Sequence, residues 1–165
     1  MDAAILLVRI IVGLYFAAHG SQKLLGWFGG PGLVNAGGFF EQLGFRPGRL
    51  FALLASAGEL VAGLLIVLGL GGALGPALLV MVMLVAIFSV HVSKGWFAQN
   101  GGVEMNLLYI AAGVALAFGG YGAYSLDRVL GLNVLAEPTQ IWVALAVAAV
   151  LAALNLLARR APKAE

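Results

Sequence analysis

The sequence predicts an all-α fold: a polytopic membrane helix bundle with a four-helix core and a fifth C-terminal transmembrane helix. Of the 165 residues, 62% are hydrophobic and only 10% are charged, and the mean hydropathy is +1.05. A soluble domain of this size needs far more polar surface, so the composition indicates a membrane protein. The 24 glycines agree with this class, because small residues allow membrane helices to approach one another closely.

Five apolar stretches are long enough to cross a bilayer, since a spanning helix needs about 20 mostly apolar residues. The predicted spans are residues 4–25, 50–69, 76–93, 105–123 and 141–158. Residues 69–76 predict a tight turn, because their glycines allow a sharp reversal and a proline suits a first helical turn. Residues 33–43 have the pattern of a short helix lying on the membrane, although Gly37 and Gly38 weaken that prediction. Residues 125–130 also look interfacial.

The basic residues collect on one predicted side of the membrane. Five spans place the first loop, the third loop and the C-terminus together. That side carries Lys23, Arg46, Arg49, Lys94, Arg159, Arg160 and Lys163. The other side has only Arg128, so the positive-inside rule predicts an external N-terminus and a cytoplasmic C-terminus. The sequence pI of about 9.2 reflects these scattered residues and predicts no nucleic-acid partner.

The two histidines of the chain lie in a repeated pattern at the ends of the first and third spans. Residues 16–23 read FAAHGSQK, and residues 88–94 read FSVHVSK, with one residue deleted. The repeat predicts a duplicated helical unit that carries polar side chains to one place. The predicted pocket is enclosed by His19, Lys23, His91, Lys94, Glu104 and Asn106 and roofed by Trp27 and Trp96.

These polar residues also have simpler interpretations. Each lysine taken alone is better explained by snorkelling toward lipid headgroups. For His19 and His91, a capping or interhelical hydrogen bond is favoured over ligation of a metal or a b-type haem, because no further ligand cluster accompanies them. We therefore predict no metal site. The chain has no cysteine, which excludes disulfides, iron–sulfur clusters and thiol chemistry within it.

A second polar feature lies within the spans themselves. Arg9, Phe16, His19 and Lys23 share one face of the first helix by their spacing. A charged residue inside a membrane usually finds a partner, and Glu59 is the only acid within an apolar span. We therefore expect Arg9 and Glu59 to pair near the middle of the bilayer. Both an inert ion pair that holds helix register and a working proton or ligand site fit this pattern.

The order of these residues resembles the DoxX family of small bacterial membrane proteins. The likeness rests on Arg9, His19 with Lys23, Glu59 in its ELVAG context, and the closing segment GAYSLD at residues 122–127. It covers residues 4–132. Residues 1–132 are thus predicted to form a DoxX-like core. Residues 133–165 then add a linker, the extra span and a basic tail.

The resemblance implies a bacterial inner-membrane oxidoreductase subunit, since DoxX-like proteins are described in that way and related DoxD-type proteins use a quinone as acceptor. Glu59, Arg9, His19 and Lys23 are then the candidate catalytic residues. The candidate quinone-binding residues are Phe16, Trp27, His91, Trp96, Glu104 and Asn106. Whether the chain is itself catalytic stays open, and a protein partner or a homo-oligomer is expected. The alternatives are a non-enzymatic membrane anchor for a soluble redox enzyme and, ranked last, a small proton-coupled transporter.

Overall fold

A computed structural model describes residues 1–160. The end of the predicted basic tail, with Lys163, lies outside the described residues. Within this range the chain is helical and has no strand, which confirms the predicted fold class. The helices are α1 (Asp2–Leu25), α2 (Gly32–Gln42), α3 (Gly48–Leu68), α4 (Leu74–Ala86), α5 (Glu104–Gly119), α6 (Leu126–Leu130) and α7 (Pro138–Leu157). Helix α4 continues without a break into a π-helix (Ile87–His91) and a 3₁₀ turn (Val92–Lys94).

Four helices are long and apolar enough to cross a membrane: α1, α3, α4 with its extension, and α7. Helix α5 corresponds to the predicted span 105–123, but it has only 16 residues. It is therefore about 24 Å long, against a hydrocarbon core of about 30 Å. The helix ends early because Gly120 adopts a positive φ of 69°, which turns the following residues back toward the bundle.

Helix α3 lies at the centre of one half of the bundle and packs against α1, α2 and α4. Helix α4 in turn packs against α5 and α7, so the fifth predicted span is joined to the core through α4. The contact between α1 and α3 is close at a pair of glycines. A Cβ atom added to Gly63 would lie 2.5 Å from the carbonyl oxygen of Gly13. No larger residue fits there, and this approach fixes the antiparallel register of the two helices.

The bundle has two chemically different ends. The end of α1, the α2–α3 turn and the end of α7 meet at one of them, where the backbone N–H of Arg160 donates to the carbonyl of Gly44 at 2.8 Å. We call this the basic end, because six of the arginines and lysines lie there: Lys23, Arg46, Arg49, Lys94, Arg159 and Arg160. The opposite end contains the short α3–α4 turn and α6, and we call it the hairpin end.

Two predictions about the connections can be compared with the structure. The tight turn is confirmed, because α3 ends at Leu68 and α4 begins at Leu74. The short helix predicted at residues 33–43 is present as α2, despite its glycines. Gly37 is buried where α2 crosses α3, and a Cβ atom there would lie 2.7 Å from Cγ of Arg49. The glycine that weakened the prediction is therefore required by the packing of α2.

Candidate functional site

A cavity of about 670 Å³ lies toward the basic end between α2, α3 and α4. Its wall is mostly apolar and aromatic, with Phe39, Phe40, Phe51, Leu54, Met81, Val82 and Val85 among the lining residues. Helix α2 covers the cavity and is tied to α3 by aromatic contacts. The ring of Phe45 lies 5.7 Å from that of Phe40 and 5.2 Å from that of Phe51. Pockets for small organic molecules have volumes of about 300–1,000 Å³, so this one has a suitable size.

A partly buried ion pair lies among the polar groups of the cavity wall. The ammonium nitrogen of Lys23 lies 2.5 Å from Oε1 of Glu59, and both residues line the cavity. The side chain of Glu59 is only 4% exposed, whereas that of Lys23 is 28% exposed. The second carboxylate oxygen, Oε2, is buried and has no hydrogen-bond partner among residues 1–160. An unpaired buried acceptor is costly, so this oxygen is the atom of the site that most needs a donor.

The predicted pairing of Arg9 with Glu59 is wrong. The close contact of α1 and α3 places Arg9 beside Ile66, whose carbonyl accepts from Nε of Arg9 at 3.0 Å. Glu59 lies seven residues earlier on α3, which is about 10 Å along the helix axis. Side chains on a helix tilt toward its N-terminus. Lys23, in the last turn of α1, therefore reaches back into the bundle and becomes the partner of Glu59.

Arg9 instead holds the hairpin end together. Its guanidinium donates to the carbonyls of Ile66 and Val67, at 3.0 and 2.8 Å, and to those of Tyr121 and Tyr124, both at 2.7 Å. The first two carbonyls belong to the last turn of α3, where backbone acceptors lack helical partners and a positive charge is favoured. Arg9 thus caps α3 and fastens the chain that follows α5.

The closing segment, residues 122–127, belongs to the same structure. The carboxylate of Asp127 accepts hydrogen bonds from the backbone N–H groups of Gly71 and Gly72, at 2.9 and 2.8 Å. The hydroxyl of Ser125 accepts from the N–H of Arg128 and caps α6. These contacts tie the segment to the α3–α4 turn. This closing segment, one of the features behind the family resemblance, is therefore an anchor at the hairpin end.

His91 lies at the end of the π-helix and lines the cavity. Its Nδ1 atom is 2.6 Å from the carbonyl oxygen of Gly101, in the loop before α5. The hydrogen bond predicted for a histidine is thus present at His91. Ser89, on the same π-helix, also lines the cavity and donates to the carbonyl of Val85 at 2.6 Å. π-Helical turns are rare and often occur at functional sites, which agrees with their position here.

The remaining polar residues predicted for the pocket lie outside the cavity. His19 and Lys94 are exposed. Glu104 accepts from the backbone N–H of Ala98 at 2.8 Å, and Asn106 is buried with its amide 3.4 Å from the sulfur of Met83. The predicted single pocket is therefore divided: Lys23 and His91 line the cavity and the other four polar residues do not.

The aromatic residues predicted for the site are also placed differently. Trp27 and Trp96 are 58% and 72% exposed and do not line the cavity, so the predicted tryptophan roof is wrong. Helix α2 covers the cavity instead. Phe16 is fully buried in the core, with its ring 5.8 Å from that of Tyr109. The aromatic wall comes from α2 and α3, which the sequence marks only by phenylalanines within apolar runs.

The two copies of the repeat differ because their backbones differ. The first copy is a regular α-helix, so Lys23 lies one turn beyond His19. The second copy passes through a π-helix and then a 3₁₀ turn, which accommodates the three-residue spacing from His91 to Lys94. The change of helix type turns His91 toward the cavity, whereas His19 stays on an exposed position of α1. The part of the chain that the structure describes contains no group of three His, Cys, Asp or Glu residues that could hold a metal ion.

The fold and the cavity define a multi-pass α-helical membrane protein with a Lys–Glu pair in the wall of an apolar chamber. The sequence profile of the DoxX family matches residues 4–92. An uncharacterized protein of Haemophilus influenzae is 32% identical over 128 residues, which cover 73% of this chain and 86% of the relative. No solved structure matches the chain. The chain belongs to the DoxX family.

Proposed function

We propose that this protein is a quinone-binding subunit of a membrane oxidoreductase system and that it depends on a partner protein for electrons. The observation that carries this proposal is the apolar chamber with the Lys23–Glu59 pair in its wall. A quinone needs an apolar slot within a membrane protein, aromatic walls and a small number of polar groups at its oxygens. The volume and the lining of the cavity fit these needs.

Each polar residue of the wall has a distinct part in this proposal. The ammonium of Lys23 uses one contact on Glu59 and can donate a second hydrogen to a ring oxygen. The unpaired Oε2 of Glu59 can accept a hydrogen from a hydroxyl group of the ring. A bound quinone would supply reversible two-electron, two-proton chemistry. The apolar walls from α2 and α3 would orient the ring and keep bulk water away from the ion pair.

The setting of the chain agrees with a subunit rather than a complete enzyme. The sequence has no cysteine, and the described residues hold no candidate metal cluster. We therefore place the electron source in a partner protein, which would meet the chain at the basic end or through a second copy of the chain. We further propose the bacterial inner membrane as its location, with the N-terminus outside and the basic end in the cytoplasm.

Gly58 provides a direct test, because it lines the cavity and leaves room for a side chain. A Cβ atom added there would meet only Cγ2 of Val82, at an ordinary 3.8 Å. Gly58→Leu should therefore extend a side chain into the chamber next to Glu59 without moving the helices, and it replaces a poor helix former with a good one. We expect a short-chain benzoquinone to raise the melting temperature of the wild type and to leave that of Gly58→Leu unchanged.

The sequence repeat offers a matched control. Lys23→Met removes the lysine of the cavity, whereas Lys94→Met removes the corresponding exposed lysine outside it. Quinone binding should weaken in the first variant by at least about tenfold, because a hydrogen bond from a charged group contributes about 1.5–3 kcal/mol, and persist in the second. Equal binding by the wild type and Gly58→Leu would reject the chamber as the site. No binding by the wild type would favour the membrane-anchor function instead.

A further inference from the structure

We infer that the cavity selects the reduced, dihydroxy form of its ring ligand over the oxidised, dicarbonyl form. This inference rests on the proposed function and specifies which redox state the site recognises. A hydroxyl group both donates and accepts hydrogen bonds, whereas a carbonyl only accepts them. The deciding property of the site is therefore the number of cavity atoms that can accept and have no donor.

The first such acceptor belongs to Glu59, a residue that lines the cavity. Oε1 of the same carboxylate is held by Lys23 at 2.5 Å, while Oε2 is buried without a partner in the described part of the chain. An ionised carboxylate has no hydrogen to give. Rotation about the terminal bond of the Glu59 side chain costs little energy, so the carboxylate can turn toward a ligand in the cavity. A ring hydroxyl would satisfy the unpaired oxygen, and a ring carbonyl would leave it unpaired.

The second acceptor is the Nε2 atom of His91. Its Nδ1 atom lies 2.6 Å from the carbonyl oxygen of Gly101. Since a carbonyl oxygen has no hydrogen, Nδ1 must carry the proton of that bond. In the imidazole tautomer that has its proton on Nδ1, the Nε2 atom bears a lone pair and accepts. Within residues 1–160 the contact of Nδ1 with Gly101 is the hydrogen bond of the His91 ring, and His91 is one of the residues that line the cavity.

The other polar groups of the wall do not reverse this preference. Ser89 donates its hydroxyl hydrogen to Val85 at 2.6 Å, so only its oxygen lone pairs are left for a ligand. Lys23 can donate to a hydroxyl oxygen as well as to a carbonyl oxygen, and therefore does not discriminate. Side-chain amides offer both a donor and an acceptor, and those in the wall are Gln22, Asn35 and Asn155. The groups that do discriminate are acceptors.

The test compares the affinities of one short-chain benzoquinone and its hydroquinone for the purified full chain in detergent, without oxygen. A site that leaves buried acceptors unpaired rejects the ligand lacking the matching hydroxyl. We expect the hydroquinone to bind at least about tenfold more tightly than the quinone. The Gly58→Leu variant should bind neither form, which ties the difference to the cavity.

Two variants test the individual acceptors. In Glu59→Gln the amide oxygen can take the contact to Lys23, which turns an N–H₂ donor toward the ligand, so the preference should shift toward the quinone. In His91→Asn the amide nitrogen can keep the bond to Gly101 while the Nε2 acceptor is lost. This variant should weaken hydroquinone binding about fivefold and leave quinone binding unchanged. His19→Asn, at the exposed histidine of the other repeat copy, should change neither affinity.

The outcomes separate the two proposals. Equal affinity for both forms, or tighter binding of the quinone by the wild type, overturns this inference and leaves the proposed function standing. Binding of neither form overturns the proposed function and this inference with it. If Glu59→Gln does not fold, the His91→Asn variant still decides the matter, because unchanged hydroquinone affinity in that variant contradicts the assignment of Nε2 as an acceptor.

Discussion

Replacing Arg9 with methionine should destabilise the protein without removing its ligand site. The guanidinium donates four hydrogen bonds, to the carbonyls of Ile66, Val67, Tyr121 and Tyr124. Hydrogen bonds to charged groups contribute about 1.5–3 kcal/mol each, so the four together contribute at least about 6 kcal/mol. A charged residue within a membrane costs about 2.5–3.5 kcal/mol, and the variant no longer bears that cost. The expected net loss in free energy of unfolding is about 3 kcal/mol.

The assay is unfolding by sodium dodecyl sulfate in mixed micelles, followed by circular dichroism, on the wild type and on Arg9→Met. The matched control is Arg128→Met, an exposed arginine at the same end of the bundle. Its stability should stay within about 0.5 kcal/mol of the wild type, as is usual for surface substitutions. Arg9→Gln should fall between the two, because its amide can keep some of the contacts to the carbonyls.

The opposite pattern would refute the structural role of Arg9. If Arg9→Met unfolded at the same detergent fraction as the wild type but lost quinone binding, Arg9 would belong to the functional site, as its place within a predicted span first suggested. The geometry points the other way. Arg9 does not line the cavity, and it lies about 10 Å from the level of Glu59 along α3.

Three further predictions test the packing, the hairpin end and the topology. Gly63→Ala should lower the free energy of unfolding by more than about 1 kcal/mol in the dodecyl sulfate titration, since its Cβ atom would clash with the backbone of α1. Gly119→Ala is the control, because a Cβ atom there has no atom within 4 Å, and its stability should not change. Asp127→Asn should cost about 1–2 kcal/mol in that titration, because one of its two charge-assisted bonds to the α3–α4 turn is lost. The chain has no cysteine, so a single cysteine can be introduced at Ser93 or at Val129 and labelled with a membrane-impermeant maleimide. The two positions should be labelled from opposite sides of the membrane, and the cysteine at position 129 should be labelled in intact cells. Labelling of both from the same side would contradict the odd number of crossings.

The pattern of apolar runs was enough to predict the helices. Each run of about 20 apolar residues became a helix within a few residues of its expected ends, because a chain in lipid must satisfy its backbone hydrogen bonds internally. The exception is α5, which ends at Gly119 although the predicted span continues to residue 123. Gly119 and Gly120 are a local signal for the end of the helix. The local sequence does not show that the residues after them turn back so that the carbonyls of Tyr121 and Tyr124 can accept from Arg9.

The sequence also indicated which residues are candidates for a site, since charged and histidine side chains are rare within apolar spans. Their partners were not visible, and the pairing of Arg9 with Glu59 failed for that reason. Helical periodicity indicates which face a residue occupies, but the depth at which two helices meet depends on their contact. Here the contact of Gly13 with Gly63 decides that depth.

By itself, the sequence determined the class of the protein, its helices and the two ends to which its charges belong, because these follow from local composition and from the cost of polar groups in lipid. Only the tertiary structure decided the site. It moved Arg9 to the hairpin end, joined Lys23 to Glu59, and turned His91 but not His19 toward the cavity. Those outcomes depend on helix register and on a local change from α- to π-helix, and both are properties of how the helices pack together rather than of any single segment.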